Sequence, residues 1–360
     1  MPKLSEKRGK FTLKHFLKKW GTFGFGFAMW AMLIDISWSG PVNSVRNSLP
    51  AELSQWTVAQ DETGLYTSIQ EAIDVADPGD TIWIKAGHYS EDVTVHGKDQ
   101  LKIIGEGMDL VVLSGLKRVG TLHIGKWPYG ARNVEIHGLT VIQHGGLGLG
   151  IFNGGGIVLK NVHVKGMVFA QQVENVRIEA CIVGESETSG IAFSESTGKL
   201  INNFIHDNDH GVVVGGTSQV LLEQNVITRS LFEAVVVSDK SQITLVQNTL
   251  VNNSGGVAFH DSSEGEAAGN ILTHSKVAFL FSPNSRTTLS FNVLHANSVN
   301  YQIDGSSASS ASKRGGKTDV HLPPAFVSPA DDDYHLPSET PLVNLGGFAY
   351  LGALPPVTAN

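Results

Sequence analysis

The sequence predicts an all-β solenoid, a parallel β-helix whose coils are about 22 residues long. Three observations lead there: a fixed beat, short β-branched runs between turn residues, and a recurring asparagine. The segments ending at positions 139, 161, 181, 203, 225, 248, 270 and 292 line up, with steps of 22, 20, 22, 22, 23, 22 and 22. A fixed period in the twenties marks a solenoid in which each repeat is one supersecondary unit.

Local chemistry selects among solenoids. Each repeat carries two or three apolar runs such as Gly211-Val212-Val213-Val214-Gly215 and Ala234-Val235-Val236-Val237-Ser238, bounded by Gly, Asn, Asp and Ser. Runs this short and β-branched read as strands. No stretch of helical period recurs, and the Leu-x-x-Leu-x-Leu spacing of leucine-rich repeats is missing. Each repeat is then one coil, with equivalent positions stacked about 4.8 Å apart. Asn fills the shared position in six of the eight segments: 161, 203, 225, 248, 270 and 292. An inward turn asparagine whose amide bonds the corner backbone and its stacked neighbours is the natural reading, and Asn also tolerates the left-handed conformation.

The flanks follow from composition and charge. Lys3, Lys7, Arg8, Lys10, Lys14, Lys18 and Lys19 precede the uncharged stretch from Gly21 to Ile34, a pattern expected of an export signal. Ser37-Trp38-Ser39 before Gly40 suits cleavage, so residues 1–39 read as a signal peptide. Retention as an anchor is the alternative: Trp20 and Trp38 flank the stretch like interfacial aromatics, though Asp35 argues against it. In either case the solenoid is expected outside the cytoplasm, with any membrane contact confined to this segment. Without residues 1–39 the chain carries 19 basic and 32 acidic residues, a net charge of −13. That balance disfavours nucleic acid, and it disfavours polyanionic glycans unless a basic groove or bridging Ca²⁺ intervenes. Cys181 is the only cysteine, so no intrachain disulfide can form, and an inward position as a small hydrophobe is expected.

Residues 40–64 read as a linker. Residues 67–77 read as a short capping helix, with Ile69, Ala72, Ile73 and Ala76 on one face and Ser68 and Glu71 placed for a capping box. Coils run from about Thr81 to Asp304. Gly145 to Gly156 reads as a bend or excursion, 305–318 as a Ser- and Gly-rich loop, and 319–360 as a segment that closes the C-terminal end.

At this point the chain resembles a known family. Tyr66-Thr67-Ser68-Ile69-Gln70-Glu71-Ala72-Ile73, Pro78-Gly79-Asp80-Thr81-Ile82-Trp83-Ile84 and Gly87-His88-Tyr89-Ser90-Glu91 are similar to the opening of pectinesterases. Asp333-Tyr334-His335-Leu336, Thr340-Pro341-Leu342-Val343-Asn344 and Leu351-Gly352-Ala353 resemble the ending of many bacterial members of the pectin-lyase-like superfamily. The resemblance covers roughly 65–354 and implies a single-stranded right-handed parallel β-helix in which His88, Tyr89 and Glu91 are structural. It implies little about chemistry, because the fold hosts many activities. The Gln-Asp-Thr and Asp-Phe-Ile-Phe-Gly motifs of pectinesterases are absent, as are the Asn-Thr-Asp, Asp-Asp and Gly-His-Gly motifs of polygalacturonases.

Candidate site residues come as columns across coils. Asp239 and Asp261 fall at equivalent positions of neighbouring coils, close enough to split their pKa values as acid and base or to share a Ca²⁺. His260 and Lys240 flank them as a second acid and a charge clamp, while ordinary solvated turns are the plainer reading. The second cluster is His206-Asp207-Asn208-Asp209-His210, with Arg229 and Glu233 one coil on. Asp207, Asp209 and His210 could bind a metal or serve as acid and base at a sugar carbon or glycosidic oxygen, and here too a self-solvating turn is the plainer reading. The cluster only loosely resembles the Asp-Pro-His-Asp motif of alginate epimerases, lacking its proline and its order. Trp127 and Tyr129, in a Pro/Gly loop, could stack on a sugar ring, or pack that loop onto the cap. The expected function is therefore an exported carbohydrate-active β-helix of lyase, C5-epimerase or hydrolase type. A non-catalytic binder of cell-surface glycan, or a structural envelope protein, stands as the alternative.

Overall fold

The computed structural model describes residues 55–116, 120–126, 128–304 and 314–358. The segment read as a signal peptide or anchor, most of the segment read as a linker, Trp127 and most of the Ser/Gly-rich stretch lie outside the described residues.

Among the described residues, 27 strands wind into one continuous parallel array, and a separate antiparallel pair, Val343–Leu345 with Phe348–Tyr350, follows near the C-terminus. Each coil contributes to three sheets in turn. One coil runs from Gln219–Glu223 in the first sheet through Val226–Thr228 in the second to Glu233–Val237 in the third. Its neighbour above pairs residue for residue: Leu222 with Leu245, Ile227 with Leu250, Val235 with Val257. Alternation sends Val220, Leu222, Ile227, Val235 and Val237 inward, where each is almost fully buried. Aromatic rings stack by the same register, Phe259 on Phe281 with centroids 6.1 Å apart and Phe279 on Tyr301 at 6.3 Å.

The corner between the first and second sheets holds the asparagine ladder. Asn203 Nδ2 donates to Asn225 Oδ1 at 2.8 Å, and Asn225, Asn248 and Asn270 each donate to the next amide at 2.9 Å. The same oxygens accept backbone N–H groups from the coil below, and each Nδ2 also reaches a carbonyl one coil back, as Asn248 does to Leu222 O. Asp319 Oδ1 ends the column by accepting from Asn292. The left-handed conformation belongs to the preceding residue: Ala180, Asn202, Gln224, Gln247 and Phe291 have φ between 51° and 55°. Asn161 corrects the sequence alignment. With φ 50° and an exposed side chain it sits in the left-handed column, and buried Val162 takes the inward place. Cys181 also faces inward, and burial pushes its thiol up to about 11. In the next corner Ser186, Asn208, Ser230, Asn253, Ser275 and Asn297 alternate, each asparagine Oδ1 accepting from the serine N–H one coil below; Ser196, Ser218, Ser241, Ser263 and Ser285 fill the third, where Ser218 Oγ accepts from Ser196 N–H.

The N-terminal helix spans Ile69–Val75, with Ile69, Ala72 and Ile73 buried. Ser68 Oγ accepts from Glu71 N–H at 3.3 Å. Glu91 completes the cap by accepting from Ser68 Oγ and from the N–H groups of Ile69 and Gln70 at 2.8, 2.8 and 3.0 Å. Three regions correct or narrow the sequence reading. Gln55–Val58 is a strand paired with Thr81–Ile84, so the solenoid begins inside the segment read as linker; a lone strand shows no period. Of the two alternatives for Gly145 to Gly156, bend or excursion, the chain takes the bend. Glu135–Phe152 is one bent strand that stays paired with Val158–Gln171 through two register shifts, and Gly145 takes φ 66° there. The C-terminal segment does not simply plug the last coil. It runs back along the outside of the second sheet, burying Leu336, Leu342 and Leu351 against Ile271 and Val293, and Tyr334 and Ala353 against Val226 and Val251.

Replacing Asn248 tests the ladder. Asn248→Ala strips the acceptor from two buried donors of Asn225 and is expected to lower unfolding free energy by about 3 kcal/mol or more, against about 0.5 kcal/mol or less for the exposed Gln242→Ala. Urea titration followed by circular dichroism reads both, and equal losses would rule out the ladder as a special element.

Candidate functional site

The residues singled out in the sequence line two opposite edges of the third sheet. Asp207 and Asp209 occupy the corner leading into it, His210 begins its strand His210–Gly215, and Arg229 stands in the same corner one coil on. Asp239 and Lys240, with His260 and Asp261 above them, occupy the corner leading out. A five-residue strand, Glu233–Val237, separates the edges, a span of about 17 Å. Tyr129 is 72% exposed, in the outgoing corner five coils before Asp239, about 24 Å along the axis. The fold therefore makes two local constellations and leaves Tyr129 apart from both.

The incoming corner is the richer one. A cleft of about 390 Å³ is lined there by Glu185, Glu187, Asp207, Asp209, Arg229 and Leu231, among others. Asp207 takes both ends of the Arg229 guanidinium, Nε to Oδ1 at 2.9 Å and Nη2 to Oδ2 at 3.0 Å, and its Oδ2 lies 2.7 Å from His206 Nδ1. On its other side Arg229 is held by Asp332 of the C-terminal segment, through Nη1 to Oδ1 and Nη2 to Oδ2. Tyr334 donates to Asp332 at 3.1 Å. The Arg229 hydrogen bond is the main reason the Asp207 carboxyl is held below its ordinary value. Asp209 moves the other way: burial raises it, the Glu187 charge adds to the rise, and His210 opposes it. His210 is almost wholly buried, with Nδ1 3.3 Å from Glu233 Oε2. Burial pushes Glu233 up, but the hydrogen bond and charge of His210 outweigh it and hold that carboxyl down. The Phe232 ring stacks on His210 at 5.2 Å and 28°, leaving Phe232 43% exposed.

The outgoing corner spends its carboxylates on the backbone. Gly216 N–H donates to Asp239 Oδ2 at 2.9 Å, and Asp239 N–H to Asp261 Oδ2 at 3.1 Å. These two groups do not make a Ca²⁺ cage, which needs six to eight oxygens. Among the described residues no three His, Cys, Asp or Glu side chains converge as metal ligands.

Sequence reasoning passed over Glu185, Glu187 and Asp332. The first two were within reach, since they stand 22 positions before Asp207 and Asp209. Asp332 was not: it lies 103 residues from Arg229 and only the returning segment delivers it.

Comparison with known proteins agrees with this architecture. The profile described as the right handed beta helix region matches residues 129–294. Residues 129–294 thus match that family, and the coils on either side of them continue the same parallel β-helix. This β-helix is 36% identical over 84 residues to the probable pectinesterase 30 of Arabidopsis thaliana. The match takes in 22% of this chain and spans only 17% of that protein's length. The crystal structure of the pectate lyase Pel9A superposes with a TM-score of 0.52 at 10% identity, covering 84% of this chain and 96% of that one. A pectin methylesterase from carrot gives 0.42 at 12% identity, over 74% and 88%. At such identities the likeness is one of fold alone.

The opposite shifts of Asp207 and Asp209 give opposite stability signatures. Asp207, depressed in the folded chain, stabilises at neutral pH and loses that contribution as pH falls through its folded value, below the ordinary ~3.9. Asp209, raised, destabilises once it ionises, so its penalty is present at neutral pH and vanishes on acidification. Melting temperature followed from pH 7 to pH 3 should show Asp207→Asn below the parent and Asp209→Asn above it at pH 7, with both differences shrinking toward pH 3.

Proposed function

We propose that this β-helix is an exported carbohydrate-active protein whose reacting centre is the cleft at the incoming edge of the third sheet. One observation carries the reading: two carboxylates two residues apart, Asp207 and Asp209, are pushed in opposite directions by their surroundings. Paired titratable groups driven apart in this way are how a site assigns a base and an acid. Asp207, tied to Arg229, stays ionised and serves as the base. Asp209, partly buried beside Glu187, holds its proton longer and serves as the acid. The chemistry open to such a pair is proton abstraction from a sugar carbon, as in a lyase or epimerase, or protonation of a glycosidic oxygen with activation of water, as in a hydrolase. His210 and Glu233 hold the edge of the site and set the charge around Asp209.

The fold shared with a pectate lyase is consistent with a polysaccharide partner. The basic N-terminus followed by an apolar stretch supports export. One feature favours a second reading, a non-catalytic glycan binder: Arg229, Asp239 and Asp261 are all engaged in protein contacts.

Incubation in D₂O with neutral, uronic and amino-sugar polysaccharides, followed by mass spectrometry, separates these readings. Unsaturated ends mean a lyase, saturated fragments a hydrolase, and one deuterium without cleavage an epimerase. Asp209→Asn is expected to lower the rate by about 100-fold or more. Binding without any change in mass would transfer the function to the second reading.

A further inference from the structure

The electrostatics of the same cleft point to the class of chain it takes. Its incoming edge presents Glu185, Glu187, Asp207, Asp209 and Glu233, and the far edge of the sheet adds Glu195, Asp239 and Asp261. Few cations answer them, and those at the cleft are already engaged. Arg229 is shared between Asp207 and Asp332, and Lys165 Nζ lies 2.8 Å from Glu185. On the far edge Lys240 is the one lysine beside Asp239. Between the edges the sheet offers no charge: Ala192, Val213, Val236, Ala258 and Leu280 stack in register as a closely packed apolar column.

The arrangement of the acids matters as much as their number. They are spaced from coil to coil and do not converge as ligands for one ion. Successive coils place them about 4.8 Å apart along the axis. A row of separated carboxylates complements a row of separated positive charges on a polymer. It opposes a polyuronate, whose carboxylates would face these acids, with Lys240 on the far edge and Lys276, three coils from Asp209, as the exposed lysines of the two edges. Beside the acids, Leu231 is 60% exposed, and Phe232, backed by His210, offers a ring face on which a sugar or an ammonium group can rest.

We propose that this cleft takes a polysaccharide bearing free amino groups, a hexosamine polymer, and turns away polyuronates. The inference rests on the carbohydrate reading above and narrows it to one substrate class.

Isothermal titration of the full chain with three hexamers tests it: β-1,4-linked glucosamine, its fully N-acetylated form and oligogalacturonate, each at low and moderate salt, with and without Ca²⁺. The expected result is a Kd for the amine hexamer at least tenfold lower than for either other hexamer, rising with salt. Glu187→Gln combined with Asp209→Asn should weaken amine binding at least fivefold. Glu264→Gln with Glu266→Gln, on the outer face of the first sheet, should leave it unchanged. Melting curves confirm that each variant is folded. Oligogalacturonate binding as tightly as the amine hexamer, with or without Ca²⁺, overturns the proposal. So does equal affinity for the N-acetylated form, or equal weakening by the two double variants, which would mean diffuse attraction to an acidic chain. These outcomes leave the carbohydrate reading standing. Binding of none of the three hexamers removes that reading together with the proposal.

Discussion

Everything in this molecule depends on how the chain turns a corner without stranding backbone donors. A coil of about 22 residues has three corners, and at each the regular ladder between strands is interrupted. A buried N–H left there without an acceptor costs about 1–3 kcal/mol. From Asn203 to Asn292 the solution repeats: one inward asparagine amide accepts the N–H of the equivalent residue in the coil before it, as Asn208, Asn253 and Asn297 do at the next corner. Asn does this best, because its second donor also reaches a carbonyl and its oxygen is shared along the column. Ser196 and Ser218 do it with a hydroxyl, and in the corner that leads into the third sheet asparagine alternates with serine and accepts from the serine N–H below it.

That constraint decides where chemistry can sit. A residue in the left-handed region precedes the inward one, by one position at the first two corners and by one or two at the third, and its side chain is thrown outward. At the edges of the third sheet those outward residues are Glu185, Asp207 and Arg229 on one side and Glu195, Asp239 and Asp261 on the other, with φ between 49° and 61°. Non-glycine residues are uncommon there, and larger side chains are held against a mild backbone strain. The acidic edge and the structural ladder are thus neighbours in sequence by necessity. A carboxylate in this column can either be drawn back to the next backbone amide, as Asp239 and Asp261 are, or look outward to a partner, as Asp207 does to Arg229.

The same logic separates what was legible in the sequence from what was not. The coil, its period and the inward asparagines from 203 to 292 could be read because each repeats. Asn161 misled because a left-handed position and an inward position both welcome asparagine, and only the burial of Val162 tells them apart. The strand Gln55–Val58 has no earlier coil to echo. In the site, Asp207 and Asp209 stood out as a local cluster, and stepping back one period would have added Glu185 and Glu187. The Asp332 clamp and the opposed shifts of Asp207 and Asp209 arise from burial and from a segment 103 residues away, neither of which a repeat encodes.

The outer faces of the three sheets differ in ways that assign them different work. The first is a solvated lattice of charges, with Lys160 and Arg177 both on Glu179 at 3.2 and 2.6 Å. Such exposed pairs contribute little individually but keep a long face from associating with another sheet. The second is apolar across Val226, Val251, Ile271 and Val293, and the returning C-terminal segment buries that stretch. Its Asp332 reaches past the edge of that sheet to Arg229, so the covering of one face and the charge of the next corner are physically joined. The third pairs an apolar column with acidic edges, and there Asp207, Asp239 and Asp261 also bond to the neighbouring coils. A long polymer laid parallel to the axis would meet Glu185, Asp207 and Arg229 at successive steps of one edge, a sequence of charges spread over several coils that a single pocket does not offer.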